Sequence, residues 1–397
     1  MNERRDRFRA YMACLDVAVD PKEPLELGYY QETSEPGVGE QLAARAEIEP
    51  TSCQLLLGGI GSGKTTELRY AERRLNNYDD ILPLYIDVSV KHELRRLTPQ
   101  ILETLVAIEL IQHLPEPTPS DLLWRAEYFL SLANGYYGGD YDDYGDGYGG
   151  GSAVRVEGIL QPPNPLQLDE ESRETVSRLS PIVSYFTDVK KRPIVLIDSL
   201  DRISDITLFT NAIQNDIKVL SSAGVGVILV GPLHAMYGEQ KQLLERFDQV
   251  HYLYARDHRT PEGQAFLFQV LRRRVSAEML PDESAQRLVQ WSGGVLRDLL
   301  SLAHAAGTHA YTYGAQRVEP RFVERAADAM GRKKLMGMTE GQLKVLQRAR
   351  VHETFVPTSA DDFELLVLGR LIKYSDGEKD SYAIHPTIRP LLEQLSA

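Results

Sequence analysis

Short apolar runs alternate with longer amphipathic stretches through the first two-thirds of the chain. Cys53–Leu57, Ile81–Val88, Pro193–Asp198, Val225–Gly231 and Val250–Tyr254 are compact and mostly apolar. Runs of this length predict strands buried on both faces of a sheet. Between them lie stretches with helical spacing: Thr65–Leu75, Pro99–Leu114, Asp121–Leu132, Asp169–Val189, Ile206–Leu220 and Leu233–Phe247. Arg4–Leu15 and Gly39–Glu47 also read as helices. Strand–helix alternation predicts an α/β fold: a three-layer αβα core with a parallel sheet and a ligand site at the strand C-termini.

The pattern changes after Tyr254. Pro261–Val275, Asp282–Trp291, Val295–Ala306 and Glu319–Met330 are helical with no strand between them, which predicts a separate helical subdomain. Thr339–Arg350 and Asp361–Leu371 form a helix pair. Ile372–Ser375 and Tyr382–Ile384 flank a turn at Asp376-Gly377, a hairpin signal. His385–Leu395 closes the chain as a helix, and helix, helix, hairpin, helix is a winged-helix pattern.

The most specific chemistry lies between the first apolar run and the helix after it. Gly58-Gly59-Ile60-Gly61-Ser62-Gly63-Lys64-Thr65-Thr66 has the spacing of a phosphate-binding loop. Wrapping a triphosphate requires backbone N–H groups aimed inward, where a Cβ would collide with the phosphate or the turn. Glycine at positions 58, 59, 61 and 63 removes that obstacle. Lys64 supplies a cation for the β- and γ-phosphates, and the Thr65 hydroxyl is a Mg²⁺ ligand. The helix that follows points its positive end at the phosphates. These residues predict a nucleotide-binding protein.

Pro193–Asp198 is an apolar strand ending in an acid, as expected of a buried strand that carries a metal-associated carboxylate. Asp198 is the Walker B candidate, sharing Mg²⁺ with Thr65; the plainer reading is a helix N-cap after a strand. Ser199 follows, and Asp201 comes two residues later. Arg246-Phe247 precedes a strand, as the arginine finger of AAA+ ATPases does, a resemblance that implies that Arg246 acts on a neighbouring subunit's nucleotide; the residues by themselves read equally as a surface arginine closing a helix C-terminus. Tyr29 and Tyr30 stand in the lead-in, where Tyr30 is a candidate for stacking on a base; paired tyrosines are otherwise ordinary packing residues.

Composition narrows the class. At 397 residues, with 43% apolar and 25% charged residues, the chain has the make-up of a soluble globular protein. Asp16 and Asp20 interrupt any signal-peptide core, glycines and Pro232 break the longest uncharged stretch, and the two cysteines suggest neither a disulfide framework nor a zinc site. A cytoplasmic location without membrane contact is expected. A net charge of −13 argues against coating nucleic acid with the whole surface. Asn134–Ser152, with five tyrosines, four aspartates and no basic residue, predicts a flexible surface loop or a partner-binding loop. Asp140, Asp142 and Asp146 offer some acids of a calcium loop, but Gly151 stands where its closing glutamate belongs.

In motif order the chain resembles AAA+/STAND P-loop ATPases of bacteria and archaea over residues 24–397. Asp198-Ser199-Leu200-Asp201-Arg202 is similar to the STAND form of Walker B. On that resemblance Asp198 organises Mg²⁺, Asp201 polarises the attacking water, and Ser199 in place of a glutamate implies slow turnover. Ser292–Leu299 is similar to the sensor 2 segment of origin-recognition-type members, which implies that Arg297 reaches the γ-phosphate. A polar sensor 1 residue at the end of Val225–Gly231 is missing, and His234 is the nearest polar group. The implied domains are a helical lead-in (1–50), a P-loop NTPase core (51–255), a helical lid (256–335) and a winged helix (336–397).

The resemblance implies a slow ATPase using ATP and Mg²⁺, a switch that forms homo-oligomers with nucleotide and controls a protein effector, including in antiviral defence. The alternative is a DNA-associated ATPase, a loader or transposition regulator. Arg317–Arg350 holds nine basic residues against four acids, a place for phosphate contact. Against it, the groove-reading helix would begin Asp361-Asp362-Phe363-Glu364, and its carboxylates are expected to repel phosphates. A small-molecule kinase is the remaining reading, and the lid arginine and C-terminal domain leave it little room.

Overall fold

A computed structural model describes residues 2–17, 22–33, 35–133, 165–203, 205–237, 241–351, 359–375 and 379–395. The 134–152 loop with its three calcium-candidate acids, and the turn at Asp376-Gly377, lie outside the described residues.

The chain opens with α1 (Asn2–Ala13), the one-turn α2 (Glu23–Glu26) and α3 (Val38–Ile48). β1 (Cys53–Gly58) runs through the glycine loop into α4 (Lys64–Leu75). β2 (Ile81–Asp87), the short α5 (Val88–Lys91), α6 (Ile101–Ile111), α7 (Ser120–Ala133) and α8 (Pro165–Asp188) lead to β3 (Arg192–Asp198). After it come α9 (Ile206–Ser222), β4 (Gly226–Pro232), the short α10 (Lys241–Leu244) and β5 (Gln249–Leu253). The remainder comprises α11 (Pro261–Arg272), α12 (Asp282–Trp291), α13 (Leu296–Thr312), α14 (Pro320–Leu335), α15 (Glu340–Val351), α16 (Ala360–Val367), the antiparallel hairpin β6 (Leu371–Ser375) and β7 (Asp380–Ile384), and α17 (Arg389–Leu395).

β1 to β5 form one parallel sheet in the order β2-β3-β4-β1-β5, the α/β core expected from the alternating pattern. β2 and β3 pair in register from Ile81↔Arg192 to Asp87↔Asp198, so two carboxylates end adjacent strands. β4 separates β3 from β1, so the acid-bearing strand and the glycine-loop strand are not neighbours.

Three stretches differ from the sequence expectation, the first being the expected Asp361–Leu371 helix, which ends at Val367 and leaves Leu371 to open β6. Leu233–Phe247 is not one helix: a 3-10 turn at Leu233–Met236 ends when Tyr237 turns extended (φ −117°, ψ 156°), and α10 is only four residues long. The last helix begins at Arg389 rather than His385. The Thr387 N–H donates to His385 Nδ1 (3.3 Å), and that turn takes the place of the expected first helical turn.

Packing divides the chain into two compact units, Val38–Leu57 with Glu67–His251, and Met1–Gly37 with Gly58–Thr66 and Tyr252–Ala397. In the first, Leu55–Leu57, Ile194–Ile197 and Val227–Val230 are almost fully buried. α6 is apolar nearly all round and buried on most sides, as an interior helix must be. Asp216 of α9 caps it, accepting from the N–H groups of Gln100 (2.7 Å) and Leu102 (2.9 Å). Burial raises the Asp216 carboxyl to about 7, although these N–H groups pull it down.

In the second unit α11–α14 enclose a core that also takes in Phe8, Tyr11 and Leu15 at the front of the chain. The Tyr11 hydroxyl donates to Ala303 O (2.9 Å), and Gly307 admits its ring, since a Cβ there would stand 2.4 Å from Tyr11 Cε1. α1 is therefore part of the helical unit, whereas α3 belongs with the sheet.

Candidate functional site

β1 ends at Gly58, and the loop from Gly59 to Gly63 turns the chain into α4. Gly61 (φ +84°) and Gly63 (φ +105°) adopt backbone conformations that a side chain disfavours. A Cβ at Gly58 would stand 2.6 Å from Leu253 O and 2.9 Å from Ser62 Oγ. Ser62 Oγ is buried without a hydrogen-bond partner, so a polar atom in the loop awaits one. Lys64 is buried, and its Nζ donates to Gly58 O (2.9 Å) and Gly59 O (2.8 Å), arching over its own loop. Ile60, Thr65 and Thr66 are half-buried, and Thr65 lies in the first turn of α4.

The start of α13 packs directly on this loop. Arg297 N donates to Gly61 O (3.1 Å), and Arg297 Cβ lies 2.6 Å from where a Cβ on Gly61 would begin. Leu296 Cδ1 stands 3.2 Å from the corresponding position on Gly63. The Arg297 side chain itself is exposed. Gly293 and Gly294, both at positive φ, set this approach: the space for a Cβ at Gly294 is filled by Arg256 O at 1.7 Å. Beside Arg297, Asp298 pairs with Lys334 (2.9 Å) and faces His385 Nε2 (3.1 Å). Burial opposes the Asp298 charge, but His385 and Lys334 hold its carboxyl down to about 2. The Tyr374 hydroxyl donates to Gly293 O (2.8 Å), and Val295 packs with Ile372 and Tyr374. One stretch, Gly293–Asp298, thus touches the glycine loop on one side and the C-terminal hairpin on the other.

In the sheet unit Asp198 is 2% exposed at the end of β3. Its Oδ1 accepts from Ser199 N (2.6 Å) and its Oδ2 from the Tyr85 hydroxyl (2.7 Å). Ser199 is held at φ +74°, a conformation costing a non-glycine residue on the order of 1 kcal/mol or more, and such strain clusters at functional sites. Asp201 is half-buried in the 3-10 turn Leu200–Arg202. Sequence reasoning passed over Tyr85; the available signal was a tyrosine two residues before the acid that ends the neighbouring strand. Burial and the Asp198 charge push its phenol far above the usual tyrosine range, which keeps it a donor. Asp87, in register with Asp198, is spent as the N-cap of α5.

His234, the nearest polar group to the end of β4, is buried with both ring nitrogens unpartnered, and burial lowers its pKa against the pull of Asp205. Arg246 is exposed just ahead of β5. Tyr29 is a packing residue: its hydroxyl donates to Cys14 Sγ (3.3 Å), and Arg274 lies 4.9 Å from its ring. Tyr30 is half-buried beside it.

A strand, a loop with two glycines at positive φ and a helix opening on Lys64-Thr65 compose the N-terminal part of this site. The fold is α/β, with the glycine loop joining one strand of the parallel sheet to the helix after it. No family model matches the chain, and no curated protein matches it. Among solved structures it is similar to the Aeropyrum pernix ORC2 protein in ADPNP–ADP complexes, at 12% identity and a TM-score of 0.47 over 97% of this chain and 98% of that one. It is also similar to the A. pernix ORC1 protein in complex with DNA (14%, 0.45, 96% and 96%) and to Cdc6p from Pyrobaculum aerophilum (11%, 0.42, 95% and 99%). The functional reading stands on this chain's own residues.

Mg²⁺ keeps several waters and takes one or two protein oxygens beside phosphate oxygens; the Thr65 hydroxyl in its unit and the Asp198 carboxylate in the sheet unit are each of the donor type that it accepts. Among the described residues no group of three His, Cys, Asp or Glu side chains forms a closed cage for a softer metal. No described helix is long and apolar enough to cross a membrane.

Proposed function

We propose that the chain is a nucleotide-controlled regulatory ATPase of the AAA+ kind. ATP lies in the Gly58–Thr66 cradle with Lys64 on its β- and γ-phosphates, and Tyr30 is its candidate base contact. Thr65 and Asp198 hold Mg²⁺, which supplies charge neutralisation at the transferred phosphoryl group. Asp201 orients the attacking water, and Ser199 in the place of an acid makes hydrolysis slow. Arg246 acts on a neighbouring subunit's nucleotide in a homo-oligomer that forms with ATP.

The observation that carries this reading is the contact between Arg297 and Gly61. A helix of the C-terminal half is hydrogen-bonded to the loop that grips phosphate, so a change of nucleotide changes the seat of that helix. Residues 256–335 then act as the lid and 336–397 as a winged helix that reports its position to a protein effector. Calorimetry tests the reading. The intact protein binds ATP with Mg²⁺, Lys64→Ala abolishes binding, and Asp201→Asn binds normally but hydrolyses at least tenfold more slowly. Equal loss of binding in both variants makes Asp201 structural; indifference of the wild type to ATP and GTP overturns the reading.

A second reading, a DNA-associated ATPase such as a loader or transposition regulator, gains from one observation. Asp362 does not point outward from α16: it is fully buried, closes a capping box with Ser359 and pairs with Arg348 (3.1 Å). The expected wall of three carboxylates is reduced to Asp361 and Glu364, and Glu364 accepts from Gln342 (2.8 Å). Against it, Arg332, Lys334, Lys344 and Arg348 of the basic 317–350 stretch all pair with acids. No observation favours a role in antiviral defence over this DNA reading.

A further inference from the structure

The carboxylate at the end of β3 is gripped from the neighbouring strand. Tyr85 stands opposite Leu196 in the β2–β3 register, two residues before the Asp87↔Asp198 pair, so its ring reaches diagonally along the sheet face to Asp198. Its hydroxyl donates to Oδ2 at 2.7 Å while Ser199 N donates to Oδ1, and the carboxylate plane is fixed at both oxygens. The ring is itself held. The Arg69 guanidinium lies 3.0 Å from the ring centroid, close enough to fix the angle of the phenol. Arg69 is largely buried, pairs with Glu72 (2.8 Å) and leaves its Nε without a partner. It sits on α4 four residues after Thr65, one helical turn along the same face. A single line of contacts therefore runs from the helix that follows the glycine loop, through Arg69 and Tyr85, to Asp198.

We propose that Tyr85, backed by Arg69, is the positioning residue that presents Asp198 to magnesium. This rests on the reading of Asp198 as the metal-associated carboxylate. In this role Tyr85 acts through Asp198: it removes the rotational freedom of a carboxylate that has to meet a metal-bound water in one orientation. Because Arg69 rides on α4, the same contacts tie that orientation to the helix whose first turn carries Thr65. Groups hydrogen-bonded to metal ligands typically change metal affinity by about 10- to 100-fold when removed.

The test is the magnesium dependence of nucleotide binding by the full chain, read with a fluorescent ATP analogue and repeated in EDTA. Tyr85→Phe keeps the ring under Arg69 and deletes only the hydroxyl. The expected result is unchanged analogue affinity in EDTA and a Mg²⁺ concentration for half-maximal binding raised about tenfold, with Mn²⁺ paramagnetic resonance showing matching loss of metal occupancy. Arg69→Gln leaves the hydroxyl in place and is expected to shift the Mg²⁺ midpoint in the same direction by a smaller factor; it carries the test if Tyr85→Phe does not fold. A Mg²⁺ midpoint within twofold of wild type, or a loss that is equal in EDTA, overturns the proposal and leaves Tyr85 a packing residue. Failure of the wild type to bind ATP with Mg²⁺ is a different result, and it removes the underlying reading of the site instead.

Discussion

At the scale of single residues, burial decides the charge of His251. It is 5% exposed, with Nε2 3.1 Å from Gln54 Oε1, and burial lowers its pKa to about 4. A folded pKa below the unfolded value near 6.5 means that the unfolded chain binds the proton more readily. The neutral histidine therefore costs no stability above about pH 6.5, and stability is lost as pH falls from there toward 4. Asp216, with its raised pKa, acts in the opposite direction over an overlapping range, so the prediction is stated as a difference between two proteins. The stability of wild type relative to His251→Phe, from urea unfolding, should fall by about 2 kcal/mol between pH 7 and pH 5. A flat difference would show that His251 titrates in the fold as it does in the unfolded chain.

At the scale of elements the decisive feature is the glycine pair ahead of α13. Gly294 sits at φ +78°, its Cβ position is occupied by the Arg256 carbonyl oxygen, and its own carbonyl accepts from Arg256 N (3.2 Å). Gly337, also at positive φ (+74°), has nothing within 4 Å of its Cβ position. Alanine at 337 adds only backbone strain and should cost about 1 kcal/mol. Alanine at 294 must move a backbone segment as well, and should cost about 2–4 kcal/mol and weaken ATP binding by shifting Arg297. Equal melting temperatures for the two variants would deny the close approach. This contact also marks the limit of what the sequence discloses. The apolar runs at Cys53, Ile81, Pro193, Val225 and Val250 located all five core strands within two residues of each end; in β1, β3 and β4 burial on both faces leaves an unbroken apolar signal. The glycine loop was legible because its backbone demands a fixed spacing. Tyr85 was not, because a tyrosine in a strand is ordinary and its hydrogen bond depends on inter-strand register, which no local pattern records. Asp362 misled for a related reason: an acid at a helix start looks solvent-directed until the capping box is seen.

For the whole molecule the open choice lies between a switch that assembles on itself and an ATPase that works on DNA, and charge decides what a useful experiment looks like. A protein of net charge −13 is repelled from DNA at long range, so productive contact must come from a local basic surface, and contact made to phosphates alone must fade steeply with salt. In the 317–350 stretch several of the cations are already neutralised by acids, among them Lys334 by Asp298, on the segment that also carries Arg297. Drawing Lys334 onto a phosphate would leave Asp298 with His385 alone, next to the Arg297 whose N–H meets Gly61 O, so on the proposed reading DNA binding and nucleotide state would be coupled through Asp298. The two readings then part on two measurements. A self-assembling switch should gain mass with a non-hydrolysable ATP analogue and show an ATPase rate within twofold of basal when DNA is added at 50 or 200 mM salt. A DNA-associated ATPase should be stimulated severalfold at 50 mM salt and retain that stimulation at 200 mM, and Lys334→Gln should reduce the effect. Stimulation that vanishes at the higher salt would be the signature of non-specific phosphate contact, and would leave ATP-dependent assembly as the function to pursue.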